Sequence, residues 1–273
     1  MQESVLTQEE VERFHERGVL HCDFGFAPEL LDRVVAEVEP LYDSSWRELP
    51  QAPTRVQDAW ARIEPVRRLA THERALNALE QLLQRKPLPF QTLNFPVGTT
   101  QLAHSDTIHF STIPAGYMAG VWVALEDIDE DSGPLIYYPG SHKLPYYSMQ
   151  DLGLGAGYGH YPGYEQCIQR LIREHGFEAE HGIVKKGQAI IWHANLLHGG
   201  SPRKNPARTR HSQVTHYYFA GCEYYTPMES EPDRLCYRHP VWISEAAAAA
   251  WSAKPGPRSW PVRALGRIRR MLG

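Results

Sequence analysis

The stretch Gly98-Thr-Thr-Gln-Leu-Ala-His104-Ser-Asp106 decides how the rest of the chain is read. It follows a strand-like run, Gln91-Thr-Leu-Asn-Phe95, and it sets a His and an Asp two residues apart. Side chains of extended backbone alternate faces, so His104 and Asp106 project the same way and can chelate one ion. A neutral imidazole plus a carboxylate makes two of the three ligands in the 2-His-1-carboxylate triad. That triad holds non-haem Fe(II) and leaves coordination positions open. His21-Cys22-Asp23 repeats the pattern, but Phe24-Gly-Phe-Ala-Pro28 follows it at once with no partner strand, so this second pair reads as structural.

The 273 residues suffice for a sizeable core, read here as one domain over 1–273. Hydrophobic content of 42% with 22% charged residues describes a folded globular chain. A net charge of −4 gives no electrostatic reason to expect nucleic acid. Cys22, Cys167, Cys222 and Cys236 are widely spaced, and no secretory signal precedes them. They read as reduced thiols, and the expected location is cytoplasmic. No apolar run reaches the roughly 18 to 20 residues of a membrane span, so no membrane partner is expected.

Thr7-Gln-Glu-Glu10 carries a helix start, with Thr7 as cap and Glu10 completing a capping box, and Gly18 marks the stop. Val19-Leu20-His21 then reads as a short strand. Leu30, Leu31, Val34, Val35, Val38 and Leu41 recur at helical spacing between Pro28 and Tyr42. A polar loop is expected over about 43–54, then a second helical region with Leu76, Leu79, Leu82 and Leu83 as its stripe. The span of about 7–86 is thus a helical support. Beyond Pro87 short β-type runs take over: 90–95, 117–125, 135–138, 187–197 and 209–220. Their hairpin-like joins predict a mainly β core with flanking helices, a double-sheet barrel of the jelly-roll kind over about 88–225. An insertion over about 143–181, with glycines at 153, 155, 157 and 159 and a helix over 165–175, is read as a lid. An extension over 226–273 contains an Ala-rich helix at 244–251 and a basic amphipathic tail from Pro261, with Val262, Leu265, Ile268 and Leu272 on one side.

A second His ligand should sit on a strand that pairs late. The run Gly187-Gln-Ala-Ile-Ile-Trp192 leads to His198-Gly199-Gly200, where the glycines leave room for something to approach the ring. His193 is the competitor. The next strand presents Arg210, Ser212, Val214, His216 and Tyr218 on one face. An Arg inside an otherwise apolar barrel needs an anion, and its planar fork suits a carboxylate.

These residues, from about Thr7 to Phe219, resemble the phytanoyl-CoA dioxygenase family of Fe(II)/2-oxoglutarate oxygenases. The matching features are His104-Ser-Asp106, Trp122 in Trp-Val-Ala-Leu-Glu-Asp127, Gly133-Pro-Leu, Pro139-Gly-Ser-His142, and His198-Gly followed by Arg210. The resemblance implies a double-stranded β-helix (jelly-roll, cupin-like) core and iron on His104, Asp106 and His198. It also implies that Arg210 holds the distal carboxylate of 2-oxoglutarate, with Trp122 lining that pocket and Gln91, Gln101 and Ser212 as further contacts. Halogenating relatives lack the metal-binding Asp, so Asp106 favours hydroxylation or another oxidation over halogenation. The chain has Gly200 where the family often has Ser, which displaces one cosubstrate contact. His142 in its turn reads as structural.

The function expected from this set is an Fe(II)-, 2-oxoglutarate- and O2-dependent oxidation of a small-molecule metabolite, releasing succinate and CO2. The alternatives are a differently metallated barrel, such as a zinc hydrolase or a cofactor-free oxygenase, and an inactive barrel that binds a ligand. Thr107, His109 and Phe110 are expected to face the open side of the metal and meet substrate, with Tyr158, Tyr161 and Tyr164 above them. Such aromatic and His groups suit a secondary metabolite, an amino-acid derivative or a sugar.

Overall fold

A computed structural model describes residues 4–43 and 55–252. The capping box forms as the sequence requires: Glu10 N–H donates to Thr7 Oγ1 at 3.2 Å, and Thr7 N–H donates to Glu10 Oε2 at 2.8 Å. It opens α1 (Gln8–Arg17), which ends at Gly18 with φ 75°. Strand β1 (Val19–Asp23) follows, then α2 (Pro28–Val38), β2 (Val56–Gln57), α3 (Glu64–Ala70) and α4 (Glu73–Leu83). In the Leu stripe of α4, Leu79 and Leu82 are essentially sealed from solvent, while Leu76 and Leu83 are half-buried against the same cluster. Truncating Leu79 or Leu82 to Ala removes about 2–5 kcal/mol by the usual cost of a buried Leu.

The remaining strands are β3 (Pro87–Phe95), β4 (Ser111–Ile113), β5 (Met118–Ala124), β6 (Leu135–Tyr137), β7 (Glu180–His181), β8 (Gln188–His193), β9 (His198–Gly200), β10 (Ser212–Phe219) and β11 (Glu223–Tyr225). Helix α5 (Tyr161–His175) precedes β7, and α6 (Glu245–Ser252) ends the described chain. The major sheet runs β1-β8-β5-β10-β3-β2; a smaller one runs β7-β6-β9, and β11 pairs with β4. Every pairing is antiparallel. This is a double-stranded β-helix. The outer face of the major sheet (Val121, Val123, Ala189, Ile191, Tyr217, Phe219) packs on α1–α4 in one apolar cluster. The inner face (Leu93, Phe95, Trp122, Ile190, Trp192, Val214) closes on Tyr137 of the smaller sheet.

Three features differ from the expectation. Helix α5 starts at Tyr161, four residues before Glu165, because Pro162 is preorganised for a first turn. The insertion is no loose flap: Met149, Tyr164, Ile168 and Leu171 form a core with Ala103, Ile108, Leu197 and Met228. Arg210 precedes β10 rather than lying mid-strand, although its N–H still donates to Pro96 O at 2.9 Å. The basic tail from Pro261 and the loop residues 44–54 lie outside the described residues. Among the described residues, no helix is long and apolar enough to cross a membrane.

Candidate metal centre and cosubstrate pocket

His104 and His198 are joined by their backbones before any side chain is considered. His104 N–H donates to His198 O at 2.9 Å, and His198 N–H donates to His104 O at 3.0 Å. The two glycines after His198 serve this contact. A Cβ on Gly199 would lie 2.7 Å from Gln101 O, and one on Gly200 would overlap the Thr99 carbonyl. The glycines therefore admit the 99–104 backbone, not a ligand, which corrects the sequence reading. Ser105 stays extended (φ −103°, ψ 136°), and that carries Asp106 round to the same side as His104. Ser105 N–H is held by Tyr164 Oη of α5 at 3.0 Å, so the inserted helix buttresses the peptide between the two side chains.

His104, Asp106 and His198 are all buried, with one potential ligand atom each lying within 4.8 Å of the others. His104 Nδ1 lies 3.2 Å from Leu102 O, and His198 Nδ1 lies 3.0 Å from Leu196 O. A carbonyl only accepts, so in a neutral ring Nδ1 carries the proton and Nε2 keeps its lone pair. Two lone pairs thus converge on a carboxylate, with His104 Nε2 3.7 Å from Asp106 Oδ1 and His198 Nε2 3.9 Å from Oδ2. Such a set lacks only a cation. Burial pushes the His198 imidazole down to about 4 against the pull of Asp106, which keeps it neutral near neutral pH. Burial alone would raise Asp106, but His198, His104 and His216 hold its carboxyl far below the usual range. It is an anion under all ordinary conditions.

One row across the major sheet supports this carboxylate. Trp192, Gly120, His216 and Gln91 are register partners on β8, β5, β10 and β3. A Cβ on Gly120 would overlap the Trp192 ring, so the glycine lets the indole cross the strand. Trp192 Nε1–H then donates to Asp106 Oδ2 at 2.8 Å. His216 Nε2 lies 3.7 Å from the same oxygen, while its Nδ1 lies 3.0 Å from Gln91 Oε1. His216 shares a strand face with Arg210 in the sequence but carries no local sign of this role, and neither does Trp192. Gln91 therefore orients His216.

Arg210 is 1% exposed, and among the described residues it has no carboxylate partner. Its Nη1 donates to Gly133 O at 2.9 Å, its Nε has no acceptor among the described residues, and burial lowers its pKa to about 10. Its Cζ lies 5.9 Å from the Trp122 ring, whose buried Nε1–H is also unsatisfied. Two buried donors without acceptors, one of them charged, fit an absent carboxylate. Ser212 Oγ–H donates instead to Arg210 O at 3.3 Å, and Gln101 Nε2–H donates to Tyr161 Oη at 3.4 Å.

Of the expected substrate residues, His109 and Phe110 face the centre. The His109 ring lies 6.3 Å from that of His104 and stacks on Tyr158 at 5.8 Å, and Phe110 lies 5.1 Å from the His216 ring. Thr107 does not join them; its Oγ1 lies 2.6 Å from Ser105 Oγ and 3.3 Å from Asn195 Oδ1 in a buried network. His193 lies with His142 and Tyr146, and His21 bonds Tyr137, so neither enters the centre. His142 Nε2 contacts His15 O, a structural role as read.

A double-stranded β-helix with an inward His-x-Asp…His set and a buried arginine that has no acidic partner among the described residues defines the class of Fe/2-oxoglutarate-type barrels. Within that class the chain belongs to the phytanoyl-CoA dioxygenase family, whose model matches residues 2–212. It is 25% identical over 167 residues to the peroxisomal phytanoyl-CoA dioxygenase of Rattus norvegicus, an alignment spanning 59% of this chain and 45% of that one. The chain thus spans less than half of that relative. By structure it is similar to EctD from S. alaskensis with bound Fe (TM-score 0.64, 20% identity, 89% of this chain and 88% of that one). It is also similar to the epimerase SnoN in complex with Fe3+, alpha ketoglutarate and nogalamycin RO (TM-score 0.63, 22% identity, 86% and 94%). At these identities the likeness concerns the fold.

Proposed function

We propose that the protein is an Fe(II)- and 2-oxoglutarate-dependent oxygenase acting on a small molecule. The observation that carries this reading is the pairing of two converging imidazoles and a carboxylate with a buried guanidinium that has no counter-ion among the described residues. His104, Asp106 and His198 would hold the metal, and Arg210 with Trp122 would hold the distal carboxylate of the cosubstrate. Bound there, Fe(II) and 2-oxoglutarate supply O2 activation and C–H oxidation, with succinate and CO2 as co-products.

The chain's own contribution is orientation and exclusion of water. Leu102 O and Leu196 O fix the two imidazole planes, and Trp192 fixes the carboxylate. Arg210 would donate to the distal carboxylate of the cosubstrate, its planar fork fixing that group's orientation. Tyr158 and Tyr161 cover His109 and wall off the open side. Asp106 fills the position that halogenating relatives vacate, which favours hydroxylation or another oxidation over halogenation. A zinc hydrolase has no use for a buried, carboxylate-seeking Arg210. The test is an anaerobic Fe(II) titration with 2-oxoglutarate, followed by a succinate-release screen over metabolite pools. The expected result is a weak visible charge-transfer band and succinate formation; absence of both in the intact protein refutes the reading.

A further inference from the structure

Arg238 is brought back to the centre by the segment after β11. Its N–H donates to Tyr224 O at 2.7 Å, and its Nη1–H donates to Thr226 Oγ1 at 3.1 Å. The guanidinium carbon lies 4.8 Å from the centre of the Phe110 ring, and the buried Nε has no acceptor among the described residues. Phe110 in turn leans on His216, whose Nε2 is 3.7 Å from Asp106. Arg238 is therefore one ring away from the groups around the metal centre. Among the described residues no carboxylate ion-pairs with it. Asp58, which feels its charge, already accepts from Thr92 N–H, Gln57 and Trp60.

A second guanidinium addresses the same groups. Arg55 stands immediately before β2 and is exposed. Burial is the main influence on His109, His216 and Tyr158, but the charges of Arg55 and Arg238 both reach all three. Phe90, Phe110 and Tyr218 form an aromatic floor beside them, with Phe90 stacked on Tyr218 at 4.2 Å and Phe110 edge-on to Phe90 at 5.3 Å. The Tyr218 hydroxyl is buried and has no hydrogen-bond partner among the described residues. A buried guanidinium Nε–H without an acceptor among the described residues is costly, and an anion beside Phe110 would satisfy it.

We infer that the substrate carries an oxyanion, a carboxylate or a phosphate, that Arg238 binds and Arg55 attracts, with its uncharged part lying on Phe110 beneath Tyr158. This names a substrate class for the oxygenase site and rests on that reading of it. It is independent of Arg210, which would be occupied by the cosubstrate.

The test measures binding of benzoate, phenyl phosphate and the neutral isostere benzamide to the full chain by calorimetry. It is run anaerobically with Fe(II) and 2-oxoglutarate, so that Arg210 is engaged, and again without metal or cosubstrate. At least one anion should bind about tenfold or more tighter than benzamide, and the tighter of the two identifies carboxylate or phosphate as the source. Arg238→Gln should weaken that anion about tenfold or more, Arg238→Lys should recover part of the loss, and Arg55→Gln should weaken it a few-fold. Unchanged thermal midpoints show that the variants fold, and Arg238→Lys serves if Arg238→Gln does not. Equal behaviour of anions and benzamide, including no binding by any of them, overturns the inference. So does anion binding that survives Arg238→Gln but is lost in Arg210→Lys, because the anion is then in the cosubstrate pocket. A protein that makes no chelate band yet binds the anion through Arg238 refutes the oxygenase reading alone.

Discussion

Trp192 donates its indole N–H to Asp106 Oδ2 at 2.8 Å, across a strand position where Gly120 has no side chain to block it. The carboxylate is thereby fixed by a residue remote from it in sequence, with Oδ1 left turned toward His104.

Replacing this donor isolates its effect. Trp192→Phe keeps most of the ring but removes the N–H, and loss of such a supporting bond weakens metal binding by about 10–100-fold. A competitive metal titration should show this while the far-ultraviolet circular dichroism is unchanged. Wild-type affinity in the variant would mean the bond does not orient the carboxylate.

Among the histidines, the expected division is sharp. His104→Ala, Asp106→Ala and His198→Ala should each abolish turnover and metal retention, whereas His193→Ala and His21→Ala should keep the metal. Metal analysis after desalting reads the difference. Metal retained in His198→Ala but lost in His193→Ala would reverse the choice between these two rings.

Arg210→Ala leaves a cosubstrate carboxylate buried without its partner, a loss of roughly 2 to 5 kcal/mol. The 2-oxoglutarate requirement should rise about 30-fold or more, since each 1.4 kcal/mol is tenfold. Arg210→Lys should recover only part, because a point charge does not reproduce the fork. Metal affinity should be unchanged in both.

Acid should destabilise the metal-free protein earlier than carboxylate titration alone would. Burial lowers both His198 and His216 to about 4 in the folded state, against an ordinary value near 6.5. Below about pH 6.5 the unfolded chain binds protons that the folded one refuses. Stability is therefore full above that pH and falls as pH drops toward 4, by up to about 1.4 kcal/mol per pH unit for each ring. Urea midpoints between pH 7 and 4 should show the slope, and His216→Gln should reduce it.

Gly200→Ala should be disproportionately harmful for so small a change. The added methyl would meet the Thr99 carbonyl, and overpacking of this kind costs about 1–3 kcal/mol. Because the displaced backbone leads directly to His104, metal affinity should fall along with the thermal midpoint.

Much of this was legible in the chain, and the reason is locality. The Thr7–Glu10 capping box, the Leu79 and Leu82 stripe and the His104-x-Asp106 pair are each written within a few residues, and each appears where expected. Arg210 was legible by contrast, as a charge among apolar strand residues. What escaped were relations between strands. Trp192, Gly120, His216 and Gln91 form one row only after four strands are in register, and no spacing along the chain announces that. The two glycines after His198 were visible, but their purpose depends on which backbone arrives opposite them. Thr107 follows Asp106 directly, yet a one-turn 3-10 helix over Asp106–Ile108 carries it into the network with Ser105 and Asn195.

The backbone bridge between His104 and His198 has a kinetic consequence. Its two halves are distant in sequence and belong to different parts of the barrel, so the ligand set cannot exist in a partly folded chain. An ion captured by His104, Asp106 and His198 would act as a rivet across a long loop, and closing such loops is where a crosslink removes most disorder from the unfolded ensemble. Metal uptake would then mark the completion of folding, and a chain that had mispaired β9 would be left without the ion.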